Sequence, residues 1–313
     1  MQEKDKLKNE DIEVLKFLSK FKMLKVEDAS LIYKTKRYYR QRINKLIELK
    51  YIKKYKSYII IDKNGRKLLG KVGSSYIKNM DNEAYMDRLK QISSIATITI
   101  DSEIDFIPSW DIKEKNQFTE TARRYLGKLI LENKEYLIYY ISAKKEHVYI
   151  RQLLFDVNKS LNYDNIIIFV DDFDVISKRY SNLVFGKENT YVIKNTRANK
   201  ELLKNYEKIN IHELLESIYK KELLISDWDK ADYLLENNKY VINMPFINTE
   251  KIEELNWYYN ENSSNYRKIE IVTLEENKKK IEEMLTNKCK VTTFNENLLG
   301  GINEIQNIEQ DIM

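Results

Sequence analysis

Three groups of residues in this chain are of types and spacings that could do chemistry. The first lies between Lys36 and Leu49, where Lys36, Arg37, Tyr38, Arg40, Gln41, Asn44 and Lys45 alternate with Tyr39, Ile43, Leu46, Ile47 and Leu49 at helical intervals. A helix divided in this way turns an apolar face to its neighbours and a basic, amide-bearing face to solvent. Arg, Gln and Asn can form paired hydrogen bonds to base edges, and Lys neutralises phosphate. The second group, Lys53, Lys54 and Lys56 with Lys63 beyond it, is purely cationic and suits phosphate alone. The third is acidic: Asp105 and Asp111 are candidate ligands for a shared divalent metal, with Lys113 two residues beyond Asp111. Two alternatives stay open within the first group. Arg42 could serve as an internal ion-pair partner, and Tyr38 or Tyr39 as core.

Charge resolved by position supports the first two groups. Residues 1–70 hold 20 Lys and Arg against 9 Asp and Glu, a net of +11, whereas the whole chain is only +5, so residues 71–313 sum to −6. A block of positive charge on one folded unit is the electrostatic footprint of a polyanion binder. The alternative is a lysine-rich solvated surface, common in a composition so skewed toward Lys, Ile, Asn and Tyr.

The elements that must position these residues follow from periodicity. Asn9 or Glu10 begins a helix with Ile12, Leu15, Phe17, Leu18 and Phe21 on its apolar face. Val26 to Tyr33 is a shorter helix with Ala29, Leu31 and Ile32 for packing, broken at Lys34-Thr35. Thr35 can cap the third helix, which carries the first group. Tyr51-Ile52 and Tyr58 to Ile61 then read as strands joined by Lys53 to Ser57, and Asp62 to Gly65 turns the chain into Arg66 to Leu69. Helix, helix, helix, hairpin is the order of a winged helix-turn-helix. In that fold the third helix enters the major groove and the hairpin lies against the backbone. The pattern at Tyr39, Arg42, Leu46, Leu49, Tyr51-Ile52, Ile59 to Ile61 and Gly65 to Leu69 resembles the ending of many bacterial winged helices. It departs at Lys50, where Gly is common, and at Ile61-Asp62, where Leu-Thr is common.

Gly70 to Asn82 marks a domain boundary. Beyond it, Glu83–Ser94 reads as a helix, Ile95–Ile100 and Ile104–Ile107 as strands, and Trp110–Lys113 as a further strand. Glu135–Ser142 reads as a buried strand, His147–Leu161 as a helix, Asn165–Val170 as a strand, Val175–Val184 as a helix and Thr190–Ile193 as a strand. This order predicts a mixed sheet covered by helices and is similar to the core of the PD-(D/E)xK nuclease-like fold. A winged helix followed by such a core resembles the replication-relaxation family of plasmids and mobile elements from Gram-positive bacteria, over about residues 10–195. The resemblance implies sequence-specific binding of double-stranded DNA in replication initiation or conjugative transfer. It also implies Mg2+-dependent endonuclease or relaxase chemistry if the core is intact. The strand Tyr139-Tyr140-Ile-Ser142-Ala-Lys144 lacks the required acid, which points to a degenerate core. Asp171, Asp172 and Asp174 end a strand, where carboxylates more often cap a helix than hold a metal. His147 reads as a surface or helix-start residue.

The last third predicts an amphipathic helix over Asn210–Leu224. Strands over Tyr240–Pro245, Lys268–Thr273 and Lys290–Phe294 alternate with helices over Thr249–Asn260 and Leu274–Leu285, a βαβαβ pattern suited to a protein partner or a homodimer contact. The fold class is therefore α/β (α+β): a winged helix over 1–72, a nuclease-like domain over 83–205 and a C-terminal α/β region over 206–313. The alternatives are a metal-dependent endonuclease or relaxase acting through Asp105, Asp111 and Lys113, and a transcription regulator whose C-terminal region takes a ligand or partner. There is no GxGxxG, GxxxxGK[ST] or GxSxG motif among only 7 glycines, so nucleotide-dependent and elbow-type hydrolase readings lose their supports. One cysteine, Cys289, and two histidines, His147 and His212, make neither a disulfide nor an ordinary zinc site. A polar N-terminus and the lack of long apolar runs predict a soluble, cytosolic protein with no membrane partner. The acidic tail from Gly300 is expected to be mobile.

Overall fold

The computed structural model describes residues 7–35, 37–70, 77, 79–112, 124–131, 133–143, 147–159, 164–173, 189–205, 210–236, 239–261, 267–286 and 289–294. The expected helix over 175–184 and the tail from Gly300 lie outside them. The described residues form a mixed α/β protein with eleven helices and mixed sheets. None of these helices is long and apolar enough to cross a membrane. The chain divides into two compact units, Met1–Phe118 with Leu126–Ile130, and Thr119–Tyr125 with Leu131–Met313.

In the first unit, α1 (Asn9–Phe21) buries Asp11, Val14, Leu15, Phe17, Leu18 and Phe21, the i, i+3, i+4 stripe of an amphipathic helix. It ends at Lys22, in the left-handed region at φ 72°, whose N–H donates to the Leu18 carbonyl (2.8 Å). The next three residues form β1 (Met23–Lys25), a strand the sequence reading missed. The second helix is only α2 (Ala29–Tyr33), closed by Lys34 at φ 51°. Then come α3 (Tyr38–Glu48), β2 (Ile52–Tyr55), β3 (Tyr58–Ile61) and α4 (Lys63–Leu68). The three strands are antiparallel in the order β1-β3-β2. Lys53, Lys54 and Tyr55, expected in a connecting loop, belong to β2, and the turn is only Lys56-Ser57.

The corner between α3 and β2 is closed by α4. Asp62 N–H donates to the Tyr51 carbonyl (2.8 Å), Asn64 N–H to Lys50 (3.1 Å) and Asn64 Nδ2 to Leu49 (2.8 Å). At Gly65 a Cβ would fall 2.4 Å from the Tyr51 carbonyl oxygen, so only glycine fits. Lys50, where glycine is common, adopts φ 58° instead.

Further along, α5 (Glu83–Ala96) runs into a 3-10 turn, Thr97–Thr99. The expected strand over 95–100 is therefore helical: Ile92, Ile95 and Ala96 repeat at i, i+3, i+4 and are fully buried on one face, which outweighs the β-branched run. Met23, Ile60, Ile77, Met86 and Leu89 make one core cluster here. A hairpin of β4 (Asp105–Pro108) and β5 (Gly127–Leu131) pairs antiparallel. Between its strands lies α6 (Ser109–Ile112), a helical turn where a strand was expected over 110–113.

The second unit holds β6 (Lys134–Ile141), α7 (His147–Lys159), β7 (Asn165–Val170), β8 (Asn189–Lys194), α8 (Arg197–Asn205), α9 (Ile211–Tyr219) and the short β9 (Leu224–Ile225), β10 (Tyr233–Leu235), β11 (Lys239–Asn243) and β12 (Ile247–Asn248). After these come α10 (Thr249–Glu261), β13 (Ile269–Leu274), α11 (Glu275–Met284) and β14 (Lys290–Phe294). Strands β6, β7 and β8 are parallel, with β12 antiparallel beside β8. The apolar runs of β6 and β7 are buried throughout, as in a sheet covered on both faces. A separate five-stranded sheet has the order β14-β13-β11-β10-β9; its first three strands are the parallel βαβαβ motif, and the last two are antiparallel additions. The helix expected over 210–224 stops at Tyr219, capped by Lys220 at φ 51°.

Candidate nucleic-acid interface

The base of the interface is a buried carboxylate. Asp11 lies on the apolar side of α1 and is fully buried. It accepts hydrogen bonds from its own helix start (Lys8 N–H, 2.8 Å), from α2 (Tyr33 hydroxyl, 2.6 Å) and from α3, through Arg42 Nη2 and Nε. Burial alone would raise the Asp11 carboxyl. The Arg42, Tyr33 and Lys8 hydrogen bonds outweigh it and hold the group below its ordinary value. Tyr33 is pushed up, by burial first and then by Asp11. Of the two roles open to Arg42, the structure shows the ion pair within the domain, which locks α3 against α1 and α2. This inward role is visible in the spacing, since Arg42 lies between Tyr39 and Leu46 on the inward side of the helix. Asp11 gave none, since a carboxylate amid Val14, Leu15 and Leu18 reads as an outward residue.

With α3 fixed, its opposite face is open. Arg37, Tyr38, Arg40, Gln41 and Asn44 are exposed, and Lys45 is half-buried. Thr35 Oγ1 accepts from the Tyr39 N–H (3.2 Å), although the N-cap position of α3 is Arg37 and not Thr35. Tyr39 is buried, and its hydroxyl accepts from Arg40 Nε (3.1 Å), holding that guanidinium along the helix side. Tyr38 is exposed with the Lys8 ammonium 4.7 Å from its ring centre. Lys36 lies outside the described residues.

Lys53, Lys54 and Lys56 are exposed on the β2–β3 hairpin, and Lys63 is exposed at the first turn of α4. The hairpin tip is anchored, because Val26 N–H donates to the Ser57 carbonyl (2.9 Å). Between hairpin and helix runs a groove of about 530 Å³, bounded by Arg40 and Asn44 on one wall and by Lys54, Lys56 and Ser57 on the other. Glu27 also lines it; this carboxylate is already held by Lys25 (2.7 Å), which keeps it below its ordinary pKa. The groove walls are thus cationic and amide-bearing, with their one carboxylate engaged.

The acidic candidates are not gathered into a comparable site. Asp105 is half-exposed and ion-paired with Lys20 (2.7 Å). Asp111 lies in α6, and Lys113 is outside the described residues. Among the described residues, no group of three or more His, Cys, Asp or Glu side chains is placed to share a cation. Asp171 instead joins two strand ends, accepting from the Tyr140 hydroxyl and from Ala143 N–H (2.9 Å). Asp174 is outside the described residues, and His147 opens α7. A cavity of about 250 Å³ in the second unit, flanked by Tyr136, Tyr191 and Phe246, is smaller than the roughly 300–1,000 Å³ of ordinary ligand pockets. Its Lys251 is already paired with Asp232 (3.4 Å).

Compared with protein-family models, with curated proteins and with solved structures, the chain finds no match.

Proposed function

We propose that residues 7–70 are a winged helix-turn-helix that binds double-stranded DNA, with α3 in the major groove and the β2–β3 hairpin on the backbone. The observation that carries this reading is the groove itself: Arg40 and Asn44 face Lys54 and Lys56 across it, on a helix held from behind by the Asp11–Arg42 pair. From Lys34 to Lys67 the sequence holds 13 Lys and Arg against Glu48 and Asp62 alone, a density that suits a polyanion. The protein is then a sequence-specific DNA-binding protein. Its resemblance to replication-relaxation proteins supports a place in plasmid or mobile-element replication or transfer. In this reading the β6–β8 region is a nuclease-like core that has lost catalysis, since Tyr139, Tyr140 and Ser142 stand where an acid is needed.

The test is an electrophoretic shift of the full-length protein on duplex fragments flanking its own gene, at two salt concentrations, with and without Mg2+. A discrete complex whose affinity falls steeply with salt is expected. No complex on any fragment at the lower salt overturns the reading. Mg2+-dependent nicking of supercoiled DNA would restore the acidic residues to a catalytic role.

A further inference from the structure

At about 100° per residue, Arg37, Gln41, Asn44 and Glu48 form one outward line along α3, at i, i+4, i+7 and i+11. Arg40 flanks this line on the hairpin side, where it shares the groove with Lys54 and Lys56; Tyr38 and Lys45 flank it on the other. The helix therefore presents carboxamides at the centre of its exposed face and cations along the margins. Gln41 and Asn44 are both exposed, and among the described residues neither spends its amide on a side-chain hydrogen bond. Glu48 lies a turn beyond, exposed, as the one acidic residue of α3.

A carboxamide offers one donor and one acceptor side by side. That matches the N6 donor and N7 acceptor of adenine in the major groove. Guanine shows two acceptors there and leaves the amide oxygen facing one of them, and cytosine shows only a donor. Gln41 and Asn44 are three residues apart, about 4.5 Å along the helix, close to the roughly 3.4 Å rise between base pairs. We propose that the DNA site of this chain contains two adjacent A·T pairs, one adenine bound by Gln41 and the other by Asn44. Arg40, Lys54 and Lys56 hold phosphates on the hairpin side without selecting sequence. This rests on the DNA-binding reading above.

The test is selection by the full-length protein from a pool of duplexes randomised at their centres, repeated with Gln41→Ala, Asn44→Ala and Lys54→Ala. The wild type should enrich a site with two adjacent A·T pairs. Each amide variant should lose about ten-fold of the preference at one of those positions while keeping the salt dependence, and Lys54→Ala should lower the salt dependence while keeping the site. Placing 7-deazaadenine, which lacks the N7 acceptor, at either position of the selected site should reproduce the loss with the protein unaltered. Enrichment of G·C pairs, or preferences unchanged in both amide variants and with 7-deazaadenine, overturns the adenine contacts and leaves DNA binding standing. A pool retained without enrichment of any sequence also overturns the adenine contacts, whereas a protein that retains no duplex at all removes DNA binding and this inference with it.

Discussion

In the second unit, Lys239 from β11 and Lys290 from β14 both donate to Glu270 on β13 (2.8 Å each), with the Thr292 hydroxyl completing the set around a fully buried carboxylate. Arg267 pairs with Asp227 (2.6 Å), Arg124 with Asp156 (2.6 Å) and Lys230 with Glu254 (2.8 Å) in the same unit. On α3 and the hairpin the arrangement is reversed. One cation, Arg42, is turned inward to Asp11, while Arg37, Lys53, Lys54 and Lys56 have no acidic partner among the described residues. The second unit uses positive charge to satisfy its own carboxylates. The first holds a surplus that its fold does not require. A surplus left unneutralised on an exposed face carries self-repulsion, so it is expected where an outside anion relieves it.

That contrast can be broken most sharply at Arg42. Arg42→Met leaves the Asp11 carboxylate buried beside Tyr33 and Lys8 N–H alone, and should cost about 3–5 kcal/mol in urea unfolding. A cost below about 1 kcal/mol would remove the inward pair as the support of α3. Next in size is Glu270. Although burial pushes this carboxyl up, Lys239, Lys290 and Thr292 bring it down to about 2 from an ordinary 4.5. Because the folded value is depressed, its stabilisation of about 3 kcal/mol is present above pH 4.5 and is lost as pH falls toward 2. Glu270→Gln should flatten that acid limb in a pH series of melts, and an unchanged limb would show that the lysines do not hold it. A smaller gain is expected from Lys50→Gly, which relieves a left-handed lysine and should stabilise by about 0.5–1 kcal/mol. The smallest stability effect belongs to Lys54→Ala with Lys56→Ala, which should stay within about ±0.5 kcal/mol. The same double variant should lower the salt dependence of DNA binding by about one unit per lysine. Destabilisation by more than 1–2 kcal/mol in that variant would make these lysines structural, like Lys239 and Lys290.

The apolar strand Asn165–Val170 was legible in the sequence because nothing competes with it, and the β-branched run Lys290–Phe294 also falls where its residues predict. The α3 pattern was legible for the same reason, with Tyr39, Ile43 and Leu46 buried as expected. Where the reading failed, two local signals conflicted. The alternation from Ile95 to Ile100 has strand chemistry, yet Ile92, Ile95 and Ala96 extend the apolar stripe of α5. Strand β1 is three residues long and pairs with Ile59 and Ile60 far along the chain, so no local pattern marks it. The candidate interface was legible in its exposed half, which is a matter of residue type and spacing. Its buried half, Asp11 with Tyr33 and Arg42, depends on three helices meeting and could be seen only once they were placed.

The left-handed residues give the lysines one more meaning. Among the described residues, seven other than glycine have positive φ, and five are lysines: Lys22, Lys34, Lys50, Lys56 and Lys220. Three of these close helices, where glycine is the usual choice and where a cation gains a little from the helix dipole. A lysine codon is rich in adenine and a glycine codon in guanine, and passing between them takes more than one base change, through arginine or glutamate. Lysine thus holds corners of the backbone at which glycine would be less strained. Each such corner is a small reserve of stability that selection can reach only by way of another charged side chain.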